Sequence, residues 1–567
     1  MKIVGTFLGD HDNGFSLIED NKIIACYSEE RFSRLKSCYN MFSFPKFSLK
    51  ALKEDFDIDI KDPNIEFAAA KPVDIYHPEI IDILKHRPIK LYPHHYCHAC
   101  GAYYTSGFDE NTLVVSYDGG DCGPDNFKEL NMNNLSKYNP RKISTHNSFY
   151  IVKDGKLVEI AENVKLKHSS VANLWSLFCV FFGMYPVKDE GKIMGLAAQG
   201  EYDEKIYNML DFFIKNDLCA TSWMIFEYYK SLFGYIAFEP GVVRKQQLPK
   251  TQKHQKLVTS EEHLNLKRKL AFNLQLITER TLVKFIGDVD KEYGPFKNLC
   301  VAGGIFANVK LNQKLNEELS FDNVWVYPAM GDEGLSLGAA IAHGVELGVF
   351  TNRKIDNVFL GASYTEDEID SYLESFEYNY DNELIMNDLD YNVIGDLLVQ
   401  GKIIGIFDGA AEYGPRALGG RSIMVEPTKK ETHEYINMRL KRDEIMPFAP
   451  IIMEEYIDDI CYYDKSKYTS EYMTMCYNVK EEWIPRIPAV INIYDGTARP
   501  QVVNKERHKH FHKILSSYYG KTGIPVLMNT SFNGHGEPII NSPQEALKHL
   551  ADKTIDYLII NNKICNI

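Results

Sequence analysis

The histidine-rich segment from Pro93 to Cys100 carries three of the seventeen histidines of the chain within five residues. If the segment after Pro93 is helical, His94 and His98 lie one turn apart on the same face. Two imidazoles at this spacing can reach one metal ion, whereas His95 points elsewhere. The segment therefore predicts a pair of metal ligands, and buried, hydrogen-bonded histidines are the alternative.

The same segment contains Cys97 and Cys100, which have the CxxC spacing of a redox pair or a thiolate zinc site. A structural zinc site usually needs a second Cys/His pair at similar spacing, and the sequence offers none. We therefore favour the imidazoles over the thiolates as metal ligands.

A second chemical signature is the stretch from Asp408 to Ser422, which holds Arg416 and Arg421 among four glycines. Glycine is unfavourable in regular elements unless the backbone needs freedom or must approach a ligand closely. Arginines on such a loop suit an oxyanion such as phosphate, which accepts a bidentate guanidinium. The stretch therefore predicts an anion site, with surface ion pairs as the alternative role of the arginines.

Two further stretches place chemically useful residues at the starts of helices. A buried strand, 298–301, enters the glycine pair Gly303-Gly304 ahead of a helix, where the backbone can approach a nucleotide closely. Ordinary tight turns also use such pairs. Asp332 stands just before the small-residue helix 335–344, at a position where an Asp commonly serves as an N-cap.

The elements that carry these residues repeat along the chain. The predicted strands form two sets with the same order of polar loop and turn: 2–9, 15–18 and 23–27, then 112–117, 148–152 and 157–161. This repetition predicts an internal duplication of a sheet whose first hairpin presents a loop to a phosphate.

The remaining sequence suggests how the chain divides into domains. A helical pattern over residues 202–279 predicts an insertion that covers the cleft. The character of the sequence changes between Gly348 and Ala362, where we place a domain boundary. The predicted domains are therefore 1–350 and 351–567.

The composition excludes some classes of partner. A formal net charge of −15 at pH 7 argues against non-specific binding to nucleic acid or to an anionic membrane, since both need a basic surface. No apolar run is long enough to predict a membrane span. The eleven cysteines follow no framework pattern and the N-terminus lacks a signal-peptide profile, which favours a reducing cytoplasm.

Together these stretches resemble the O-carbamoyltransferase family, of the nodulation protein U and tobramycin carbamoyltransferase type. The resemblance covers essentially the whole chain and is most specific at three motifs: His94 to Ala99, Glu412 to Ser422, and Asn529 to Asn533 with Gly536 to Pro538. It implies an α/β fold class, in which a duplicated actin-like ATPase (ASKHA/RNase H-like) N-terminal domain precedes an α/β YrdC-like C-terminal domain.

The resemblance also implies two reaction steps at two sites. In the C-terminal domain carbamoyl phosphate is split and the carbamate joins the α-phosphate of ATP, giving carbamoyl adenylate and pyrophosphate. In the N-terminal domain the carbamoyl group passes to a hydroxyl of a small-molecule acceptor, such as a natural product, a sugar or a toxin-like compound. The implied cofactors are ATP, Mg²⁺ with the ATP, and one divalent metal, with Fe²⁺ first and Mn²⁺ or Zn²⁺ as alternatives.

Residue by residue, the resemblance assigns roles in both domains. The implied metal ligands are His94, His98, Asp118 and Asp332, and the implied general base is His11. The implied nucleotide cradle is Gly303, Gly304 and Asn308. The residues implied to hold carbamoyl phosphate and the triphosphate are Arg416, Arg421, Lys441, Arg442, Arg499, Asn529 and Ser531. Arg416 and Lys441 would act in catalysis by taking up charge that develops on the leaving groups.

One departure from the family pattern concerns Lys441. This chain has one residue fewer between that lysine and the run Pro447 to Pro450 than the family often has. Lys441 and Arg442 are therefore alternative ligands of carbamoyl phosphate. Cys97 and Cys100 are not needed by the implied mechanism, so we expect them to be packing residues.

Two rival functions use the same features differently. An ATP-dependent small-molecule kinase of the actin-like fold would use the duplicated phosphate loops without the C-terminal cluster. A catalytically silent nucleotide-binding scaffold would need no turnover. The sequence does not select the acceptor alcohol, and we expect a cytoplasmic monomer or homodimer.

Overall fold

The computed structural model of the chain describes residues 1–9, 11–38, 44–73, 77–119, 128–138, 146–160, 171–216, 261–376, 384–441, 448–464 and 470–567. The strands of the N-terminal half are β1 (Lys2–Leu8), β2 (Gly14–Glu19), β3 (Lys22–Ser28), β4 (Glu66–Val73), β5 (Ile89–Tyr92), β6 (Thr112–Tyr117), β7 (Glu129–Leu130), β8 (Asn147–Lys153), β9 (Lys156–Glu159), β10 (Asn298–Ala302) and β11 (Asn323–Val326). The strands of the C-terminal half are β12 (Ile385–Asp388), β13 (Ile404–Phe407), β14 (Arg421–Val425), β15 (Ala449–Met453), β16 (Tyr477–Asn478), β17 (Thr497–Ala498), β18 (Gln501–Val503), β19 (Val526–Ser531), β20 (Tyr557–Ile560) and β21 (Lys563–Asn566).

The helices follow the same numbering in chain order. Those of the N-terminal half are α1 (Glu29–Ser33), α2 (Lys46–Phe56), α3 (Pro78–His86), α4 (His94–Tyr104), α5 (Val171–Phe182), α6 (Glu190–Ala197), α7 (Glu204–Lys215), α8 (Glu261–Tyr293), α9 (Val309–Glu318) and α10 (Leu335–Glu346). Those of the C-terminal half are α11 (Glu366–Glu374), α12 (Tyr391–Val399), α13 (Glu431–Arg439), α14 (Ile457–Ile460), α15 (Lys509–Thr522) and α16 (Pro543–Ala551). None of these described helices combines the length and the apolarity that a membrane span requires.

The strands of the N-terminal half form two mixed sheets. The first has the order β3-β2-β1-β4-β5-β7, and the second has the order β11-β10-β6-β8-β9. In the first sheet β1 pairs antiparallel with β2 and parallel with β4. In the second sheet β6 pairs antiparallel with β8 and parallel with β10. Apart from the short edge strand β7, the two sheets share one topology, so the predicted duplication is confirmed.

The hairpin turns of the two sheets are also alike. Asp20 and Asn21 join β2 to β3 with φ of 47° and 63°, and Asp154 and Gly155 join β8 to β9 with φ of 50° and 68°. Two central residues with positive φ give the turn whose twist suits adjoining antiparallel strands, and Asp, Asn and Gly tolerate it. The α/β class and the actin-like duplication predicted for this half are therefore confirmed.

Two helices lie between these sheets and bring them together. Helix α4 packs on β6 and β10 of the second sheet, whereas α10 packs on β1 and β4 of the first. The two helices touch each other so closely that a Cβ on Gly338 of α10 would lie 2.1 Å from the carbonyl oxygen of Cys97 in α4. Glycine is required there because the backbone of one helix rests on the other. This contact holds the first turns of both helices side by side.

The predicted insertion at 202–279 is described only in part. Helix α7 lies within it, residues 217–260 lie outside the described residues, and α8 begins at Glu261. Helix α8 continues beyond residue 279 to Tyr293 and packs on α6, α7 and α9. Its later apolar residues Leu282 and Ile286 are fully buried. The predicted limit at 279 is therefore wrong as an element boundary, because the same helix goes on to pack against the core.

The C-terminal half is built on one mixed sheet with the strand order β12-β21-β20-β13-β14-β19-β15-β18. Strand β13 pairs antiparallel with β14 and parallel with β20. Helices α12 and α15 pack on each other, and α16 contacts β13 and β20. This is the α/β architecture predicted for the C-terminal domain. The glycine-rich stretch connects β13 to β14, and β19 ends at Ser531 beside β14.

The two halves contact each other through several hydrogen bonds. The Cys26 N–H donates to the Leu360 carbonyl at 2.7 Å. The Asn312 side-chain amide donates to the Thr474 carbonyl at 2.7 Å. The domain boundary placed near residue 350 stays a prediction.

The exchange Gly338→Ala should destabilise the protein, because the new Cβ would collide with the backbone of α4. Overpacking of this kind typically costs about 1–3 kcal/mol. Urea denaturation would show it as a lower transition midpoint. Unchanged stability of this variant would contradict the close contact of α4 with α10.

The control is Gly191→Ala in α6. Gly191 is exposed, and an added Cβ would meet nothing within 4 Å. Because alanine favours the helix, this exchange should be neutral or stabilise the protein by about 0.5–1 kcal/mol.

Candidate functional site

Helix α4 begins at His94, as the sequence predicts, and directs two histidines to one side. The His94 Nδ1–H donates to the Lys71 carbonyl at 3.3 Å, which leaves Nε2 as the ligand atom. The ring centroids of His94 and His98 lie 4.8 Å apart. His95 instead approaches the Ser116 hydroxyl at 2.8 Å. The prediction that His95 points elsewhere is therefore confirmed.

Two aspartates face these imidazoles. His98 Nε2 lies 3.3 Å from Asp118 Oδ2 and 3.4 Å from Asp332 Oδ1. His94 Nε2 also lies 3.4 Å from Asp332 Oδ1. One ligand atom from each of the four residues lies within 4.8 Å of all the others. Two imidazoles and two carboxylates in one cluster fit a divalent ion such as iron, manganese or zinc.

The loops after β6 and before α10 carry the two carboxylates, and backbone groups fix Asp118 in place. Asp118 directly follows β6, and its Oδ2 accepts the Gly304 N–H at 2.8 Å while its Oδ1 accepts the Gly119 N–H at 2.5 Å. Asp332 lies in a short 3₁₀ turn ahead of α10. Helix α10 has Gly334 as its N-cap and no side-chain cap, so the capping role considered for Asp332 is wrong. Hydrogen bonds of this kind orient ligands around a metal.

The glycine pair and Asn308 support this cluster from the neighbouring loop. Gly303 has a φ of +107°, and a Cβ there would lie 2.1 Å from the Tyr117 carbonyl oxygen. Only glycine therefore allows Gly304 to reach the aspartate. Asn308 is a buried N-cap of α9 and donates its amide to Gln275 Oε1 at 2.9 Å. The nucleotide role of these residues stays a prediction.

The charges of the cluster support each other. Burial raises the pKa of Asp332, but the neighbouring imidazoles, led by His94, outweigh burial and hold this pKa well below its usual range. Burial lowers the pKa of His98, but hydrogen bonds with Asp118 and Asp332 outweigh it and raise that pKa. Carboxylates that stay ionised in a buried site favour positive charge between them.

His11 lies at the edge of the cluster, in the loop after β1. Its Nδ1 lies 3.0 Å from Asp12 Oδ2, and its Nε2 lies 3.7 Å from Asp332 Oδ2. Burial raises the pKa of Asp12 to about 6. This value is still below 7, and the carboxylate is therefore mostly ionised at neutral pH. An imidazole that donates Nδ1–H to a carboxylate keeps Nε2 as a proton acceptor. The geometry therefore suits the predicted general base.

Cys97 and Cys100 are fully buried in the core around α4. Burial raises the pKa of Cys100 well above its usual range. Only the thiolate binds metal or attacks a substrate, so a buried neutral thiol is inert. The expectation that these cysteines are packing residues is confirmed.

A separate pocket of about 240 Å³ opens in the C-terminal half. Four residues predicted from the sequence line it together: Arg416, Arg499, Asn529 and Ser531. Asn529 is buried and donates to the Ala417 carbonyl at 3.0 Å, which ties β19 to the glycine-rich loop. The pocket is therefore framed by two segments that lie far apart in the sequence.

The pocket concentrates positive charge. Burial, followed by repulsion from Arg499, lowers the pKa of Arg416 to about 9. Burial also lowers the pKa of Arg499. Among the described residues no carboxylate forms an ion pair with either guanidinium. Two partly desolvated cations without a counter-charge are stabilised by a bound oxyanion.

Arg421 does not reach this pocket. Its guanidinium stacks 3.6 Å from the centre of the Phe407 ring and is fully buried. It donates to the carbonyls of Asp408 at 3.2 Å, Gly409 at 3.1 Å and Ala362 at 3.3 Å. The geometry contradicts the predicted ligand role, because Arg421 closes the glycine-rich loop on itself.

The other predicted cations have different outcomes. Lys441 is exposed after α13, with a φ of 54°, and is not among the residues that line the pocket. Arg442 lies outside the described residues. Lys36 lines the pocket from the N-terminal half, although the sequence did not single it out. No local pattern could have done so, since its approach depends on how the halves dock.

The loops that carry the two sites touch each other. The Tyr413 hydroxyl donates to the Glu333 carbonyl at 2.7 Å. The Arg31 guanidinium donates to the Gly414 carbonyl at 3.0 Å. Glu333 directly follows Asp332 of the His/Asp cluster, and Gly414 lies two residues before Arg416. The His/Asp cluster and the arginine-lined pocket are therefore neighbours across the contact between the halves.

The chain is therefore a two-part α/β protein, in which a half with duplicated sheets and a His/Asp cluster adjoins a half with an arginine-lined pocket. Residues 67–341 match the family model described as Carbamoyltransferase N-terminus, and residues 395–566 match Carbamoyltransferase C-terminus. An uncharacterized protein of Methanocaldococcus jannaschii is 32% identical over 563 residues, which cover 97% of each chain. The chain therefore belongs to the carbamoyltransferase family and is an enzyme of carbamoyl transfer.

The chain is also similar to named proteins. Nodulation protein NolNO of Sinorhizobium fredii is 25% identical over 599 residues, covering 99% of this chain and 79% of its own. Nodulation protein U of the same species is 32% identical over 252 residues, covering 44% and 42%. Among solved structures, full-length HypF in its phosphate- and nucleotide-bound form aligns with a TM-score of 0.35 and 14% identity, covering 62% of this chain and 56% of its own.

The variants His98→Gln and His95→Gln separate a metal ligand from its neighbour. His98→Gln should weaken metal binding by at least about 10–100-fold. Replacing a residue that only hydrogen-bonds to a metal ligand already lowers metal affinity by that factor, and loss of a ligand should lower it further. His95→Gln should bind metal as the wild type does, since His95 contacts Ser116. Equilibrium dialysis against Mn²⁺ followed by elemental analysis measures both, and equal losses would contradict the ligand set.

Proposed function

We propose that this protein is an ATP-dependent O-carbamoyltransferase that uses carbamoyl phosphate and passes the carbamoyl group to a hydroxyl of a small-molecule acceptor. The observation that carries the proposal is the pairing of two sites in a carbamoyltransferase chain. One site is the His/Asp cluster, and the other is the pocket with Arg416 and Arg499. The proposed reaction first combines two phosphate-containing substrates and then transfers the carbamoyl group in a separate step. Each step needs a site of its own.

The first step belongs to the pocket of the C-terminal half. Water cleaves carbamoyl phosphate to carbamate and inorganic phosphate. A carbamate oxygen then attacks the α-phosphorus of ATP and displaces pyrophosphate, leaving carbamoyl adenylate. Both leaving groups are anions, so Arg416 and Arg499 would stabilise the charge that develops on them. Ser531 adds a hydroxyl to the same wall.

Two structural features support this placement. The guanidinium groups of Arg416 and Arg499 form no ion pair with a carboxylate of the described residues. Both groups can therefore bind an anionic substrate. Asn529 holds the wall rigid through its bonds to the Ala417 carbonyl and to Gln501 Oε1 at 3.2 Å. A rigid wall avoids the entropy cost of ordering the site during reaction.

The second step belongs to the metal cluster. The acceptor oxygen attacks the carbamoyl carbon and AMP leaves, while His11 takes the hydroxyl proton at Nε2. Asp12 holds the imidazole in the required tautomer and stabilises the imidazolium that forms. His94, His98, Asp118 and Asp332 would hold a divalent ion, which supplies Lewis-acid polarisation of the carbamoyl group when bound.

The compartment and the acceptor class belong to the same proposal. ATP and carbamoyl phosphate are metabolites of the cytoplasm. The described cysteines are buried and form no disulfide with one another, which suits a reducing compartment. The acceptor is proposed to be a small alcohol, because His94, His98 and Asp332 are buried and leave little room for a bulky compound.

The donor step can be tested without the acceptor. Incubation of metal-loaded protein with ATP and carbamoyl phosphate should yield pyrophosphate and carbamoyl adenylate, detected by mass spectrometry. Arg416→Gln should lower the rate by about 10–100-fold, because a charge-assisted hydrogen bond is worth about 1.5–3 kcal/mol. Arg486→Gln is the control, since Arg486 stacks on Trp483 at the surface.

The nucleotide product separates the proposal from a kinase. A kinase would release ADP and phosphorylate the acceptor, whereas the proposed reaction releases pyrophosphate first and AMP later. Formation of ADP alone, with no carbamoyl adenylate, would overturn the proposed function.

His11→Asn should separate the two steps. The variant should form carbamoyl adenylate at the wild-type rate, because His11 lies at the metal cluster and not in the anion pocket. Transfer to an alcohol should fall by about 10²–10⁴-fold, the usual contribution of a general base. A parallel assay of pyrophosphate and AMP release measures both rates, and equal losses would contradict the assigned role.

A further inference from the structure

Glu412 lies in the first half of the glycine-rich loop between β13 and β14, and its side chain is buried. Its Oε1 accepts three backbone N–H groups from the far end of the loop, those of Leu418 at 2.8 Å, Gly420 at 2.7 Å and Arg421 at 3.0 Å. Hydrogen bonds to a carboxylate are roughly twice as strong as those to a neutral acceptor. The carboxylate therefore joins the two ends of the loop.

The residues that these hydrogen bonds enclose form a bulge, 413–417, which carries Arg416 to the pocket. Gly414 inside the bulge and Gly419 just after it have φ of 105° and 128°, values that glycine adopts readily. The shape of the bulge therefore depends on two glycines and on the carboxylate at its base.

The side chain of Arg416 contributes little to its own placement. Its Nε is buried and finds no hydrogen-bond partner among the described residues. The direction of the guanidinium therefore follows from the backbone of the bulge, which Glu412 closes. Glu412 itself is not among the residues that line the pocket.

Arg421 completes the closure of the loop with the opposite charge. Its guanidinium donates to the carbonyls of Asp408 and Gly409, whereas Glu412 accepts N–H groups of the same loop. Burial lowers the pKa of Arg421 to about 10, and the negative charge of Glu412 opposes that shift. The two buried side chains thus satisfy both kinds of backbone group and partly compensate each other's charge.

We infer that Glu412 is a positioning residue, which sets the direction of Arg416 by closing the bulge at its base. Its importance for turnover rests on the proposed function, in which Arg416 serves the donor step. Displacing a catalytic group by about 1 Å can lower a rate by about 10²-fold. A buried carboxylate outside the pocket can therefore affect turnover as strongly as a residue that binds the substrate.

A double-mutant cycle on the binding of inorganic pyrophosphate, measured by calorimetric titration of the full-length protein, tests this role. Glu412→Gln keeps the shape of the side chain and removes its charge. It should weaken pyrophosphate binding about three- to tenfold, because it weakens the hydrogen bonds that fix the loop. Added to Arg416→Gln, it should cause no further loss, since the group that it positions is already absent. A purely structural effect would lower the affinity by the same factor in both backgrounds.

The control is Glu29→Gln on α1. Glu29 is also a buried carboxylate that accepts backbone N–H groups, those of Phe47 at 3.2 Å and Ser48 at 2.7 Å, and it does not line the pocket. This variant should bind pyrophosphate as the wild type does. Urea denaturation of both variants shows that they fold and how far their stabilities change.

Gly419→Ala disturbs the same bulge from its other end. A Cβ at this positive φ would lie 3.1 Å from the Phe511 ring, so the backbone must shift. This variant should also weaken pyrophosphate binding alone and cause no further loss when added to Arg416→Gln. It carries the cycle if Glu412→Gln does not fold.

Equal factors in both backgrounds, or wild-type binding by folded Glu412→Gln, would overturn the positioning role. Unchanged binding by Arg416→Gln would overturn it too, because no contact would then remain to be positioned. If the cycle shows the coupling in a protein that forms no carbamoyl adenylate, the positioning role stands and the proposed function is overturned. If carbamoyl adenylate forms and the coupling is absent, the positioning role is overturned and the proposed function stands.

Discussion

The structure depends on two carboxylates, the half-buried Asp118 and the buried Asp332, that face two buried imidazoles. A carboxylate removed from water needs counter-charge and hydrogen bonds, because uncompensated burial costs several kcal/mol. His94 and His98 supply that counter-charge from one face of α4, and backbone N–H groups satisfy Asp118. The cluster can form only if α4 and α10 lie in contact, and the missing side chain of Gly338 permits that contact. The packing of the two helices and the assembly of the His/Asp cluster are therefore one constraint in this protein.

The duplicated sheets explain how ligands from distant segments converge. Strand β1 leads to His11, and its counterpart β6 leads to Asp118, so the equivalent loops of the two sheets each contribute a residue to the cluster. Each lobe also contributes a helix to the cluster, α10 on the first sheet and α4 on the second. The two related lobes thereby bring His11, His98 and Asp332 together around one cluster.

The relation between the halves adds a second level of organisation. The loop with Tyr413 and Gly414 is hydrogen-bonded to Glu333 and Arg31 of the N-terminal half. The arginine-lined pocket and the His/Asp cluster therefore lie on either side of one boundary between the halves. The turn with Ser37 spans that boundary. The Ser37 carbonyl accepts the N–H of Asp12 beside the His/Asp cluster, and Lys36, the residue before it, lines the pocket. In the proposed two-step reaction, this proximity would give carbamoyl adenylate a short path to the second site and limit its hydrolysis.

The sequence alone determined the features that depend on local spacing: the i and i+4 histidines of α4, the two hairpins with Asp20-Asn21 and Asp154-Gly155, and the strand that ends at Ser531. Spacing and turn chemistry act within a few residues, so they are visible without the fold. Only the tertiary structure decided that Arg416 lines the pocket while Arg421, five residues later, turns inward to Phe407. It likewise brought Lys36 to a pocket otherwise built from residues beyond 414 and extended α8 past the predicted limit. The physical reason is that side-chain direction follows from burial and from backbone carbonyls supplied by distant segments, which no local pattern encodes.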